Sequence, residues 1–547
     1  MTRLVERWES LLVPFLLVFS ILVRIPVMVR HPLPAGDGVA SNLEMAVNLS
    51  QGEGFSTMRK WTLYDDSMDG IRPEGNRQPA MAVMLLAVFE ATGPGFLPAQ
   101  LLALLIGTLC LVMCWMWARR LFGGTAALLT LAFLSVTPVF VWFSVQPDSL
   151  LLFTAAMFAV LILADREEIG FPLSALLGFL VGLSYLARTQ GMVLVLSIGI
   201  WILYRGGSRR VIKALLFGSV FLATCAPWLA RNISAFGSPT HTQGGQFLVN
   251  ENHWAAWEVR ETAPEPMDML RFQGPAAVAS YVARGVLRVL EPVTTGSLHR
   301  GEIFGQPSLV GFAILALLAL RDRKTRERML LPVIAAVPPL LLLVLHEHSG
   351  RYLAFFIVMV TALGSSGLPV LRRLAGKSAA YAALVLLLAP FAYPLGALLS
   401  DSSAERARDA LEISEWIRSR TLEDEWVVTY PNVELLIWDY RRPTLTMPND
   451  YEMLLWPCLQ EHGVRYVVVD PSLPVMRPRL SHRWMRSADG AEWQLVDPPP
   501  FLEEVHRSSS GSTIVYEMTG VVPEGFMAVP SLPRDNMRAL PPSGAAW

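Results

Sequence analysis

Eleven apolar stretches lie between Leu11 and Leu399, and clusters of lysine and arginine fall in every second gap. Basic residues collect on the cytoplasmic side of membrane proteins, so this alternation sets how often the chain crosses and in which direction. On that reading Arg119–Arg120, Arg205–Lys213, Arg321–Arg328 and Arg372–Lys377 share the cytoplasm with the N-terminus. The gaps on the other side hold Asp37, Arg77, Asp148, Arg188, Arg231 and the run His346–Arg351. A polar site on the extracytoplasmic face of a helical bundle is expected.

The spans fall at about residues 10–29, 97–118, 125–143, 149–164, 171–187, 191–204, 211–229, 306–320, 329–346, 352–370 and 379–399. Each crossing takes about 20 apolar residues, so eleven use roughly 220. With 53% hydrophobic and 17% charged residues among 547, the composition excludes an ordinary soluble enzyme. Backbone in lipid must satisfy its own hydrogen bonds, which leaves helices. The first span lacks a small-residue cleavage site and reads as a retained helix, not a removed signal peptide. A net charge of −1 argues against nucleic acid as a partner. The four cysteines, at 110, 114, 225 and 458, form neither a disulfide framework nor a zinc pattern.

The segment Ala80–Glu90 is apolar but only about 11 residues long. Were it a twelfth crossing, every later basic cluster would move outside, so it is placed in the outer interface. Residues 30–97 and 231–305 then become two long extracytoplasmic loops within a membrane domain of residues 1–400. The first contains a short helix over Leu43–Leu49 with Ser41–Asn42 as its cap, and the second an amphipathic helix near Ala276–Val289. Residues 401–522 change character: a charged helix over Asp401–Arg420 precedes strand candidates at Val427–Tyr430, Thr444–Met447, Tyr466–Asp470, Trp493–Val496 and Thr513–Met518, with helices near Glu434 and over Leu454–His462. Strands alternating with helices predict a small extracytoplasmic α/β domain. Residues 523–547 are rich in proline, glycine and alanine and predict a disordered tail.

Among residues suited to chemistry, Asp37 lies in AGDG, where glycines allow close approach of a ligand. Its carboxylate suits a general base, and a solvated Asp-Gly turn is the plain alternative. Arg188 sits between short spans: Gly191–Tyr204 is about 14 residues, roughly 21 Å long against a core of about 30 Å. Its turn is therefore recessed, and a buried arginine costs about 2.5–3.5 kcal/mol unless paired with a lipid phosphate or a carboxylate such as Asp148. Asp148 also suits a helix cap. Arg351 and Arg231 stand at outer span ends as phosphate ligands, since guanidinium binds oxyanions in pairs. His346 and His348 flank Glu347, but residues two apart do not share a helix face, so no dedicated zinc site is assigned. No Gly-rich phosphate loop, nucleophile elbow or HExxH motif occurs.

Taken in order, these pieces resemble the polyprenol-phosphate-sugar-dependent membrane glycosyltransferases of the GT-C fold, nearest to protein O-mannosyltransferases and to the aminoarabinose transferases that modify lipid A. The resemblance rests on Asp37 followed by ASNLEMAVNLSQGEGFS, on RQPAMAVMLLAVFEATG, QPDSLLLF, LARTQGMVLV and APWLARNISAFGSP, and on SGRYL with its Arg351–Tyr352 pair. It spans roughly residues 10–370. Each motif is weak alone; their order and shared side give the combination its weight.

The resemblance implies a sugar donor on a polyprenyl phosphate, with Arg77, Arg188, Arg231, His346, His348, Arg351 and Tyr352 around the sugar-phosphate. Asp37 is then the general base on an acceptor hydroxyl of a lipid, glycan or protein, and Asp148 orients Arg188 or the acceptor. Transfer inverts the anomeric centre. A divalent metal is left open, and the bacterial cytoplasmic membrane is the expected location. The family often carries Asp-Glu where this chain has Asp37–Gly38, so the second carboxylate is missing or moved to Glu44, and Gln78–Pro79 replaces a doubled proline. A transporter or flippase of a phosphate-bearing lipid, or a catalytically inactive homologue, are the competing readings.

Overall fold

The computed structural model describes residues 2–60, 70–241, 259, 265, 267–294, 308–345, 350–389, 396, 403–429, 436, 438, 441–450, 452–470, 477, 485–487, 493–495 and 498–522. Its first part is a helical bundle. α1 (Thr2–Arg30) leads to α2 (Asp37–Ser50), the short strands β1 (Ser56–Thr57), β2 (Arg59–Lys60) and β3 (Arg72–Pro73), and α3 (Ala80–Thr92). The bundle continues through α4 (Phe96–Phe122), α5 (Gly124–Val136), α6 (Pro138–Phe143), α7 (Leu150–Ala164), α8 (Phe171–Ala187), α9 (Gly191–Arg205) and α10 (Arg210–Phe236). Then follow α11 (Asp268–Gln273), α12 (Pro275–Thr294), α13 (Ser308–Ala319), α14 (Arg323–Arg328), α15 (Leu330–Leu345), a 3-10 turn at Gly350–Leu353 and α16 (Ala354–Leu388).

Four segments are long and apolar enough to cross a membrane, Glu9–Arg30, Phe96–Phe122, Arg210–Phe236 and Arg351–Leu388, and seven shorter apolar helices accompany them. The chain is built as an integral membrane protein. Its helices divide their faces as lipid requires: Leu97, Leu101, Leu105 and Leu109 form an exposed stripe along α4, while Ala99, Ala103, Ile106 and Cys110 are buried. Where helices cross, small residues let backbones meet. A side chain at Gly178 of α8 would collide with the Phe217 carbonyl of α10, and one at Gly367 of α16 with that of Leu315 in α13.

α16 is not one rod. Gly376 has φ 89°, a conformation that favours glycine, and there the chain doubles back. Gly364 packs on Phe312 and Leu387 on the adjacent Gly311, whereas a straight helix would separate positions 364 and 387 by about 34 Å.

The C-terminal part begins with α17 (Ser403–Arg420), followed by β4 (Val427–Thr429), β5 (Thr444–Thr446), α18 (Glu452–Glu461), β6 (Tyr466–Val469), β7 (Met485–Ser487), β8 (Trp493–Leu495), β9 (Leu502–Arg507) and β10 (Ile514–Met518). The helix expected near Glu434 and the tail 523–547 lie outside the described residues. Six strands make one sheet in the order β2-β5-β4-β6-β10-β9. β2, β5, β4 and β6 run parallel, and β10 pairs antiparallel with both β6 and β9. Val427, Val428, Val467 and Val468 are fully buried, as strands covered on both faces should be.

One member of this sheet is foreign to it. β2 belongs to the loop between α2 and α3, and Arg59 pairs with Thr444 across the edge. The C-terminal sheet therefore sits at the same end of the bundle as α2. The pattern after β6 had no signal for β9, whose six residues carry four charged or titratable side chains on an exposed edge.

Candidate functional site

Four elements converge where α2, the α6–α7 turn, the end of α8 and the start of α16 meet. Gly36, with φ 88°, turns the chain into α2, so Asp37 is the first helical residue. The helix thus starts earlier than the Ser41–Asn42 cap predicted. Asn42 lies inside it, and its side-chain amide donates to the Pro147 carbonyl at 3.0 Å. Ala35 N–H donates to Gln146 Oε1 at 3.1 Å. The sequence marked Asn42 only as a helix cap and gave Gln146 no role, because amides buried between distant segments leave no periodic signature.

The turn so gripped carries Asp148. Its Oδ1 accepts the Leu150 N–H at 2.7 Å and also lies 3.0 Å from Arg188 Nη1. One oxygen of Asp148 thus meets both Arg188 and the first N–H of α7, whose N-cap is Ser149. Arg188 ends α8 in an extended conformation (φ −153°, ψ 141°), which turns its side chain off the helix axis. Its Nη1 also reaches Ser149 Oγ at 3.4 Å.

On the opposite side stands Tyr352. The Arg188 guanidinium lies 4.7 Å from the ring centroid and that of Arg351 5.1 Å from it, and Arg351 Nη2 donates to the Tyr352 hydroxyl at 3.3 Å. Arg351 also lies 5.9 Å from the Phe143 ring. Arg77 completes the group: a Cβ added at Gly38 would lie 3.3 Å from Arg77 Nη1 and 3.2 Å from Asp148 Oδ2. Burial pushes the Asp148 carboxyl upward, but Arg188, Arg351 and Arg77 outweigh it and hold it below the usual carboxylate range. The guanidiniums of Arg77, Arg188 and Arg351 stand around the Asp148 carboxylate, a set of donors whose geometry suits oxyanion oxygens.

Two other expected ligands bond to the first loop. Arg231 donates through Nη1 to the Glu74 carbonyl at 2.8 Å and through Nη2 to the Phe55 carbonyl at 2.6 Å, and it packs over Trp228 and Phe236. It fastens the first loop to α10. Glu44 is bonded within the first loop: its oxygens accept from Thr57 Oγ1, at 2.8 Å, and from Met58 N–H. Glu74, which the sequence reading passed over, is buried, and its Oε1 accepts the Arg77 N–H at 3.2 Å, fixing the backbone that presents Arg77. His346, His348 and the Asp37 side chain lie outside the described residues. Among the described residues, no three His, Cys, Asp or Glu side chains are placed to hold a metal ion.

A sequence model of the family described as dolichyl-phosphate-mannose-protein mannosyltransferase matches residues 76–230, a stretch that includes Arg77, Asp148 and Arg188. No curated protein sequence matches significantly. Among solved structures, the apo oligosaccharyltransferase of Archaeoglobus fulgidus superposes with TM-score 0.56 at 11% identity, over 84% of this chain and 69% of that one. ArnT from Cupriavidus metallidurans bound to undecaprenyl phosphate gives 0.53 at 15% identity, over 94% and 99%. The chain has the GT-C fold. AglB of A. fulgidus, in complex with an inhibitory peptide and a dolichol-phosphate, aligns similarly, with TM-score 0.55 at 12% identity over 90% and 75%. At these identities the likeness concerns the GT-C architecture, a membrane glycosyltransferase fold, and leaves the reaction to be argued from the site.

Proposed function

We propose that the protein transfers a sugar from a polyprenyl phosphate to a hydroxyl acceptor at the extracytoplasmic face of a membrane. The observation that carries this reading is the placement of two guanidiniums, Arg188 and Arg351, against one tyrosine ring beside Asp148. Guanidinium matches phosphate oxygens in a planar, paired geometry. The GT-C architecture, and neighbours holding dolichol-phosphate or undecaprenyl phosphate, support the same donor class.

In this reaction the bond from the anomeric carbon to the phosphate oxygen breaks, and a bond to the acceptor oxygen forms on the opposite side. The anomeric centre inverts. Arg188, Arg351 and Arg77 stabilise the charge gathering on the departing phosphate. The acceptor proton goes to Asp37, the first residue of α2, next to the Gly38 that abuts Asp148 and Arg77. Asp148 is the weaker candidate for base, because the surrounding arginines lower its affinity for a proton; its role is to aim Arg188. The C-terminal sheet and the loop of residues 30–97 lie at one end of the bundle, which the charge pattern puts outside the cytoplasm, in a bacterial cytoplasmic membrane.

Binding tests this reading. Purified protein in lipid nanodiscs is titrated with undecaprenyl phosphate, and Arg188→Gln and Arg351→Gln are compared with wild type. Loss of one charge-assisted contact, about 1.5–3 kcal/mol, predicts weakening by about 10-fold or more. Wild-type affinity in both variants would remove the pair as the phosphate site.

A further inference from the structure

α2 touches the reaction site at one end and the C-terminal sheet further along, and Met58 is bonded to both partners of the second link. Met58 donates its N–H to the Glu44 carboxyl, and its carbonyl accepts the Thr444 N–H at 3.1 Å, where β2 joins the sheet. Thr57 adds a second bond to Glu44, and Asn48 Nδ2 grips the Ser56 carbonyl at 2.9 Å. On the sheet side, Arg59 Nε reaches Thr446 Oγ1 at 3.3 Å, Arg441 pairs with Glu53 at 2.6 Å, and Arg72 lies 5.4 Å from the Trp426 ring. At the site end, Asn42 ties the same helix to the turn that carries Asp148. Glu44 stands seven residues after Asp37, two turns on the same face, so a tilt set at Glu44 is felt at Asp37 about 10 Å away.

We propose that Glu44 is a positioning residue: through Met58 and Thr57 it lets the C-terminal sheet set where α2 holds Asp37 and Gly38 against Asp148 and Arg77. The proposal rests on the reading of Asp37 as the base that meets the acceptor. A carboxyl buried to 1% exposure, with its pKa pushed up to about 8 first of all by that burial, is expensive to keep unless its hydrogen bonds are needed. The C-terminal sheet is then part of the catalytic framework and not an appendage.

The experiment uses the full chain in nanodiscs, as wild type, Glu44→Ala, Glu44→Gln and Thr444→Pro. Thr444→Pro removes the N–H that meets Met58 at the first residue of β5, a strand position where proline is tolerated. Hydrogen exchange at residues 38–43 is followed together with kcat and KM for a labelled polyprenyl-phosphate sugar. Glu44→Ala is expected to speed exchange at residues 38–43 by about 10-fold or more, as loss of a local tether does. Misplacement on the ångström scale predicts a fall in kcat of about 10-fold or more, with KM for the lipid donor within about 2-fold of wild type. Glu44→Gln keeps the shape and an acceptor for Met58, and restores both. Thr444→Pro shows the exchange effect with Glu44 intact.

Unchanged exchange in both Glu44→Ala and Thr444→Pro overturns the proposal. So does a parallel rise in KM and fall in kcat in Glu44→Ala that Glu44→Gln fails to reverse. Wild-type transfer by Asp37→Asn overturns the assignment of the base instead, and the exchange data still report whether Glu44 couples the sheet to α2.

Discussion

Arg188 and Asp148 form an ion pair at 3.0 Å with 12% and 5% of their side chains exposed, and the same carboxylate accepts the first N–H of α7. Removing one partner of a buried pair strands the other, at a cost of about 3–5 kcal/mol. Asp148→Asn is therefore expected to lower the unfolding temperature, and the double variant with Arg188→Gln to regain part of the loss. Because the folded pKa of Asp148 lies below the ordinary 3.8, its contribution is present above that value and fades as pH falls through the folded pKa. Thermal unfolding of the single and double variants checks this; equal losses in both would deny the coupling.

Glu44 titrates in the opposite sense. Its folded pKa is raised from 4.5 to about 8, mainly by burial, so the stabilisation present below pH 4.5 is lost as pH rises towards and through 8. Denaturant unfolding at pH 5 and pH 9 should show wild type weakening over that interval and Glu44→Gln changing much less. An identical pH slope in both proteins would contradict the assignment.

Gly38 is where α2 approaches the charged cluster most closely. A Cβ there would lie 3.2 Å from Asp148 Oδ2 and 3.3 Å from Arg77 Nη1. Gly38→Ala must push those groups aside, at about 1–3 kcal/mol, and is expected to reduce transfer more than it reduces donor binding. Gly38→Glu, which adds a longer, charged side chain at the same point, should reduce it further. Full activity of Gly38→Glu would show that α2 sits farther from Asp148 than described.

Arg231 offers a control. Its Nη1 and Nη2 hold the carbonyls of Glu74 and Phe55, so a purely loop-fastening role makes a distinct prediction. Arg231→Lys loses one of the two bonds, and about 1.5–3 kcal/mol of stability is expected to go with it. Undecaprenyl phosphate affinity should stay near wild type, unlike that of Arg188→Gln. A drop as large as that of Arg188→Gln would place Arg231 in the phosphate site.

The bundle was legible because lipid imposes long apolar runs that no local choice obscures. Arg188 was legible for a related reason: its short flanking spans announced a recessed cation in need of a carboxylate, and Asp148 supplies it at 3.0 Å. For Arg231, sequence shows that a cation stands at a span end, but not that carbonyls more than 150 residues upstream accept from it. β2 left no trace either. Two residues carry no periodicity, and their pairing with Thr444 and Leu445 joins positions nearly 390 apart. Glu44 was noticed as an acid, but its partners Thr57 and Met58 belong to that same unreadable strand pair and could not be foreseen.

Sugar transfer itself bears most directly on the account. Proteoliposomes are supplied on the side of the C-terminal sheet with a panel of labelled polyprenyl-phosphate sugars and hydroxyl acceptors, using wild type and Asp37→Asn. Transfer by wild type, reduced about 10²-fold or more in Asp37→Asn with undecaprenyl phosphate binding retained, is the predicted result. Equal transfer by both proteins, or movement of the intact lipid across the bilayer with no transfer, contradicts it.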